Sequence, residues 1–416
     1  MYPNLKNMYT YPAMNSRFTL PLYSLLALFF ALSYQPELVA QDQHTHGNGQ
    51  EHSHGSITEP PAHGHNHAVE QKVYFPDLPN AKTISCDFHM HTVFSDGSVW
   101  PNIRVSEAVR EGIDCISTTE HLEYQPHSED IPHPDRNRAY ELAKRSARNT
   151  DLMVIAGSEI TRQMPPGHTN AVFITDANPI LTEDPMDAFA EAAGQGAFIF
   201  TNHPQWTAQR KDGIARYDPM HLELIEKNML HGIEIVNEHS YSDEALRLAL
   251  DHNLTLIGTS DVHGLTDWMY EIPHGGHRPV TLVFAEERSP EATKEALFNR
   301  QTVVWFNDLF IGREQWLTPI LKASLPIRVI GYQGDSQILE VELVNATHSR
   351  FTLRNTTEYT FHEDASVFMV EPQSTKTLLV KTLERLDTVE LEFEFLNGIL
   401  APGEHPTIGY SLTLQE

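Results

Sequence analysis

The chemistry in this chain is concentrated in short runs of histidine and carboxylate. Asp87-Phe88-His89-Met90-His91 is followed closely by Ser95-Asp96-Gly97. Further along stand Thr119-Glu120-His121, Gly157-Ser158-Glu159, Gly167-His168, Asn202-His203-Pro204 and Ser260-Asp261-Val262-His263. Imidazole and carboxylate without thiolate form a donor set for Zn²⁺, Mn²⁺ or Fe²⁺ and select none of them. One H-x-H is a weak signal, because a histidine at a strand end is more often bonded into the fold than bound to metal. The whole set exceeds what one ion takes, since catalytic zinc keeps about three protein ligands. A cluster of two or three divalent ions is therefore implied. Such a cluster suits phosphoryl transfer. Coordination lowers the pKa of water from about 15.7 to about 7, making a bridging hydroxide the expected nucleophile, and a further cation neutralises charge on the phosphoryl oxygens.

These side chains need elements that carry them to one place. Strands are predicted at 83–90, 113–118, 152–160, 170–175, 196–202, 232–237 and 254–260, with helices at 102–112, 136–149, 186–195, 218–230 and 242–252. The alternation predicts an α/β architecture, a parallel sheet or barrel with its site at the strand C-termini, where the motifs fall. Residues two apart on a strand share a face, so Asp87, His89 and His91 are expected to point inward together. Cys86 is out of phase with that set and Cys115 in phase with His121. The two thiols are thus expected on opposite sides, which argues against a disulfide. After about Pro319 the helical signal stops. Alternating runs at 338–345, 350–355, 358–361, 366–370, 375–382, 388–395 and 410–414 predict a small all-β sandwich over 319–416, a stabilising or substrate-flanking appendage.

Residues 17–32 form an apolar run behind Arg17, with Ala40 before Gln41. This reads as a cleaved signal peptide over 1–40, too short for a membrane span of about 20 residues. A periplasmic or secreted location is expected, with no membrane partner after cleavage. Residues 41–72 are a histidine-rich linker, read equally well as a metal-capturing tether or as a polar spacer. With 29 Lys and Arg against 56 Asp and Glu, the chain has a net charge of −27. That excludes a basic nucleic-acid binder and leaves a small phosphate ester as the expected partner. The oligomeric state is left open.

In their order and spacing, the motifs resemble the PHP (polymerase and histidinol phosphatase) family over about residues 81–306, within a domain placed at 73–318. The resemblance implies a distorted (β/α)7 barrel and a trinuclear centre. One ion would take His89, His91, Glu159 and Asp261; a second, Glu159, His168 and His203; a third, Asp96, His121 and His263. Glu120 stands where the family usually has Asp, and is expected to fix an imidazole from behind. Glu159 would hold the ion pair together, and Asp261 would ligate and orient the nucleophile. The stretches G-S-E-I-T-R and P-P-G-H look closest to exported bacterial PHP-type phosphodiesterases. A sugar-phosphate or nucleotide monoesterase, or a metal-storage or delivery protein using the histidine tail, are the alternatives. Arg162 and Arg278 are candidate phosphate clamps. His239, His274 and His277 are candidate proton donors to the leaving group, and Trp206 and Trp268 candidate cleft walls.

Overall fold

The computed structural model describes residues 72–414. The expected signal peptide and nearly all of the histidine-rich linker lie outside the described residues. The first domain runs β1 (Lys82–Asp87), α1 (Pro101–Glu111), β2 (Cys115–Thr118), α2 (Arg138–Ser146), β3 (Met153–Thr161), β4 (His168–Val172), α3 (Pro185–Gly194), β5 (Phe198–Thr201), α4 (Pro219–Glu226), β6 (Gly232–Asn237) and β7 (Ser240–Tyr241). It continues with α5 (Asp243–Asp251), β8 (Thr255–Thr259), α6 (Thr266–Met269), β9 (Val280–Ala285), α7 (Pro290–Phe298), β10 (Thr302–Phe306), β11 (Leu309–Gly312) and α8 (Glu314–Ser324). Strands β6, β9 and β10 are buried along their whole length, as expected of a sheet covered by helices on one side and by its own curl on the other.

The sheet is mixed, where a parallel one was expected. β1 pairs in parallel with β2, β2 with β3, β5 with β6, and β6 with β8. β4 runs antiparallel between β3 and β5 because only a short loop joins it to β3, and a short loop can only reverse the chain. β9 runs antiparallel beside β1, β10 antiparallel to β9, and β11 antiparallel to β10. The β10–β11 hairpin turns on Asn307 and Asp308, both with left-handed φ (50° and 63°), the pairing of residue types that tolerates this turn. The sheet then curls back on itself as a half-barrel: Thr281 of β9 bonds both the N–H and the carbonyl of Gly258 on β8 through one hydroxyl, at 2.9 Å each. Gly258 is required there, because a Cβ would lie 2.3 Å from Val304 Cγ1.

β1 and β2 place Cys86 directly beside Cys115, so the two thiols share one face and one apolar cluster. The expectation of opposite faces fails because the strands end at Asp87 and Thr118, before the histidines from which phase was counted. Both cysteines are free and buried.

Helix α8 carries the chain past Pro319, which sits inside it. An all-β sandwich follows: β12 (Ile327–Tyr332), β13 (Ile338–Asn345), β14 (Phe351–Asn355), β15 (Thr360–Phe361), β16 (Val367–Val370), β17 (Ser374–Lys381), β18 (Thr388–Phe395), β19 (Gly398–Ile399) and β20 (Thr407–Thr413). Its two four-stranded sheets are ordered β12-β13-β17-β15 and β16-β14-β18-β20. Strict alternation of buried and open residues along β13, β18 and β20 shows one face of each sheet turned to the core. β19 leaves the sandwich and pairs with β11, extending the barrel sheet.

Candidate metal centre

Each histidine and carboxylate motif emerges at the same end of the curled sheet. His89, His91 and Asp96 follow β1, His121 follows β2, and Glu159 lies near the end of β3. His203 follows β5, while Asp261 and His263 follow β8. His168 opens β4, and because β4 is antiparallel its first residue lies at the end of the sheet where β3 finishes. Isolated bridges tie the segments beyond the strands, Met90 to Val262 and His121 to Glu159. The Asp96 turn passes so close to the first motif that a Cβ on Gly97 would lie 2.7 Å from backbone atoms of His91 and Thr92. Asp261 and His203 both adopt left-handed φ, 48° and 26°, a strained backbone that persists only where its surroundings fix it.

The donors converge. His89 Nε2 and His91 Nε2 are 3.1 Å apart, and each is 3.1 Å from Asp261 Oδ1. Glu159 Oε2 is 3.7 Å from His89 Nε2 and 3.5 Å from His91 Nε2. The other oxygen of Glu159 is 2.7 Å from His168 Nδ1 and 4.0 Å from His203 Nε2. Asp96 lies 3.3 Å from His121 Nε2 and 3.2 Å from His263 Nε2. All nine side chains proposed from the sequence are therefore brought together, with Glu159 at the middle.

This arrangement fits divalent cations and fits a metal-free protein poorly. Both oxygens of Glu159, Oδ1 of Asp96, Oδ1 of Asp261 and Nδ1 of His168 are buried without a well-formed hydrogen bond, which is costly unless something else satisfies them. Three groups of donor atoms lie within cation-binding reach: His91, Asp96, His121 and His263; His89, His91 and Glu159; and His121, Glu159 and His168. Burial would push the Glu159 carboxyl up, but His121 and His168 hold it well below the usual range. Burial is likewise outweighed at Asp96 by His121 and His263, and at Asp261 by His89 and His91, so both carboxyls stay ionised. Burial lowers His91 to about 3 and His203 to about 4, leaving both imidazoles neutral and able to ligate.

A sequence profile described as an Ig-like domain matches residues 326–411, the sandwich. The crystal structure of a two-domain protein from Bacteroides vulgatus, described as containing a predicted PHP-like metal-dependent phosphoesterase, is 40% identical. It aligns over 82% of this chain and 98% of its own, with a TM-score of 0.76. This chain belongs to the PHP-like metal-dependent phosphoesterases. A metal-dependent phosphoesterase structure from Bifidobacterium adolescentis shares 16% identity over 43% of this chain and 88% of its own, with a TM-score of 0.33. An amidohydrolase from Chromobacterium violaceum shares 15% over 43% and 87%, also with a TM-score of 0.33. No curated protein matches the chain.

Around the PHP-like cluster, several sequence expectations need correction. Arg278 is buried, with its guanidinium committed to Glu111 at 2.8 and 3.0 Å and to Asp87 at 3.1 Å, so it is no phosphate clamp. Asp87 does not join the ligands; β1 ends there, and its carboxylate accepts from Arg278 and from the Ser260 N–H and hydroxyl. Arg162 is paired with Glu123 at 2.8 Å and donates to the Thr182 and Glu183 carbonyls. His239 is exposed, with its ring against Tyr270 and Phe306. Burial and the Asp261 carboxylate push its neighbour Glu238 up to about 7. His277 lies flat on Trp305, ring centroids 3.5 Å apart, and His274 is exposed. Glu120 accepts from Thr92 and Ser95 rather than from an imidazole, and reaches His91 only through the Ser95 hydroxyl. Trp206 does stand against His168 and His203, at 5.5 and 5.2 Å between ring centroids, whereas Trp268 is 80% exposed.

The sequence reading missed Glu234. Fully buried in β6, it accepts from His89 Nδ1 at 2.8 Å, from Thr259 Oγ1 at 2.6 Å and from the His203 N–H at 2.7 Å. The signal was present: a glutamate inside the apolar run Gly-Ile-Glu-Ile-Val is a buried charge, and buried charges need partners.

Proposed function

We propose that this chain is an exported phosphodiesterase acting on small organophosphate diesters with three divalent cations at the cluster. The observation that carries this reading is the position of Glu159, whose two oxygens face different groups of donors. On this reading His89, His91, Glu159 and Asp261 hold one cation, Glu159, His168 and His203 a second, and Asp96, His121 and His263 a third. When bound, such cations supply a water of low pKa and neutralise charge on phosphoryl oxygens. The chain's own residues supply placement: Glu234 sets the ring plane of His89, Asn237 donates to both Glu234 and Asp261, and Trp206 walls the His168 side. The distorted (β/α)7 barrel, in which β1–α1–β2–α2–β3 and β5–α4–β6–α5–β8 are the parallel units, belongs to the same reading, as does export through the segment behind Arg17.

Metal analysis of the purified protein, paired with a panel of phosphate mono-, di- and triesters, tests it. About three Zn, Mn or Fe per chain with diester turnover is the expected result. Monoester turnover alone would move the assignment to a monoesterase; metal bound and released reversibly without turnover would make it a storage or delivery protein.

A further inference from the structure

The segment that carries the last two ligands is held at every other residue. Asp261 and His263 face the cluster, and the residues between and beside them are gripped from behind. Ser260 donates to Asp87 from its N–H at 3.1 Å and its hydroxyl at 2.6 Å, and its carbonyl accepts from the Tyr270 hydroxyl. The carbonyls of Val262 and Gly264 accept from Arg104 at 2.9 and 2.7 Å. Thr266 donates its N–H to Glu107 at 2.9 Å and its hydroxyl to Glu111 at 2.7 Å.

Arg104, Glu107 and Glu111 are successive residues of one face of α1, and all three are buried. Only Arg104 reaches both ligand-bearing segments. Its Nε donates to the His91 carbonyl at 3.0 Å while its two terminal nitrogens take Val262 and Gly264, with Glu107 balancing the charge at 2.8 Å. A planar fork of five N–H groups can make these bonds at once; a lysine ammonium cannot.

We infer that Arg104 is a positioning residue for the metal centre: by bonding the carbonyls of His91, Val262 and Gly264 together, it sets the separation of His91 from Asp261 and His263. The inference rests on the metal-centre reading but not on the identity of the substrate. Arg104 touches no donor atom of the cluster. Its effect is transmitted through the backbone that aims the donors, including the left-handed turn at Asp261.

The test is titration of the metal-free full-length protein with Co²⁺, followed by visible absorption and by competition with a chromophoric chelator, in the wild type, R104K and R104M. Exposed Ser106 on the same helix, whose hydroxyl bonds the Asn102 carbonyl one turn back, changed to Ala, serves as the control. The expected result is a loss of about tenfold or more in affinity for at least one equivalent, with an altered Co²⁺ spectrum, in R104K and more severely in R104M, and no change in S106A. If R104M does not fold, R104K decides. Unchanged affinities and spectrum in R104K, with only a lower Tm, would overturn the inference and leave Arg104 a packing residue. Because the readout is metal binding, a protein without ester turnover that still shows this shift would fail the proposed function while keeping the role of Arg104.

Discussion

Glu234 and His89 form a wholly buried pair, carboxylate oxygen to Nδ1 at 2.8 Å, which leaves Nε2 as the nitrogen that faces Asp261 and Glu159. The pair fixes the ring plane of a ligand and the nitrogen it presents to the cluster. Replacing Glu234 with Ala should therefore weaken metal binding by about 10–100-fold, because the imidazole loses its acceptor. Chelator competition measures this; an unchanged affinity in E234A would show that His89 is oriented by packing alone.

The unsatisfied oxygens of Glu159, Asp96 and Asp261 predict that metal-free protein is less stable than loaded protein. A ligand at about 100 times its Kd contributes about 2.7 kcal/mol through binding to the folded state alone. Thermal scans with and without a chelator should show a clear drop in Tm on stripping, restored by adding back a divalent cation. A Tm indifferent to chelator would contradict the metal-centre reading.

Gly97 lets the Asp96 turn pass against the backbone of His91 and Thr92. A methyl at 2.7 Å from those atoms must displace one of the two segments, and overpacking of this sort costs about 1–3 kcal/mol. Gly97→Ala should thus lower stability and also lower the number of cations bound, since Asp96 moves with the turn. Loss of stability with full metal content would separate the two effects and count against Asp96 as a ligand.

His277 predicts a pH dependence of stability that owes nothing to metal. Burial beneath the Trp305 indole depresses it to about 4, so the unfolded chain takes up a proton that the folded chain refuses. For a depressed histidine, stability is full above the unfolded pKa of about 6.5 and is lost as pH falls toward about 4. In His277→Gln the fall in Tm between those limits should be shallower than in the wild type. Parallel curves would mean that the imidazole carries its proton inside the fold.

Most of the candidate site was legible because a metal ligand must combine a rare side chain with a strand end, and both are visible in sequence. The sandwich was legible for a related reason: half-buried strands alternate, and ILEVELVN and TVELEFEF became β13 and β18 as read. What escaped was support given by charged residues on buried faces. Arg104, Glu107 and Glu111 in α1 look like the solvent side of an amphipathic helix until the ligand segment is seen packed on them. Arg278 looked available for phosphate because nothing local reveals that Glu111 and Asp87 already claim it. Strands β10 and β11 were passed over because their partners are distant in sequence or depend on the Asn307-Asp308 turn.

The pairing of β19 with β11 gives the two domains a common sheet, reinforced where Asn397 donates to the Asp308 and Arg350 carbonyls and Phe351 stacks on Phe310. A chain cut after α8 would therefore leave β11 with an open hydrogen-bonding edge and Phe310 uncovered, an invitation to self-association. The C-terminal hundred residues are thus a permanent selvedge woven onto the hydrolase, and shortening the gene to its metal-binding portion would unravel the cloth from that side.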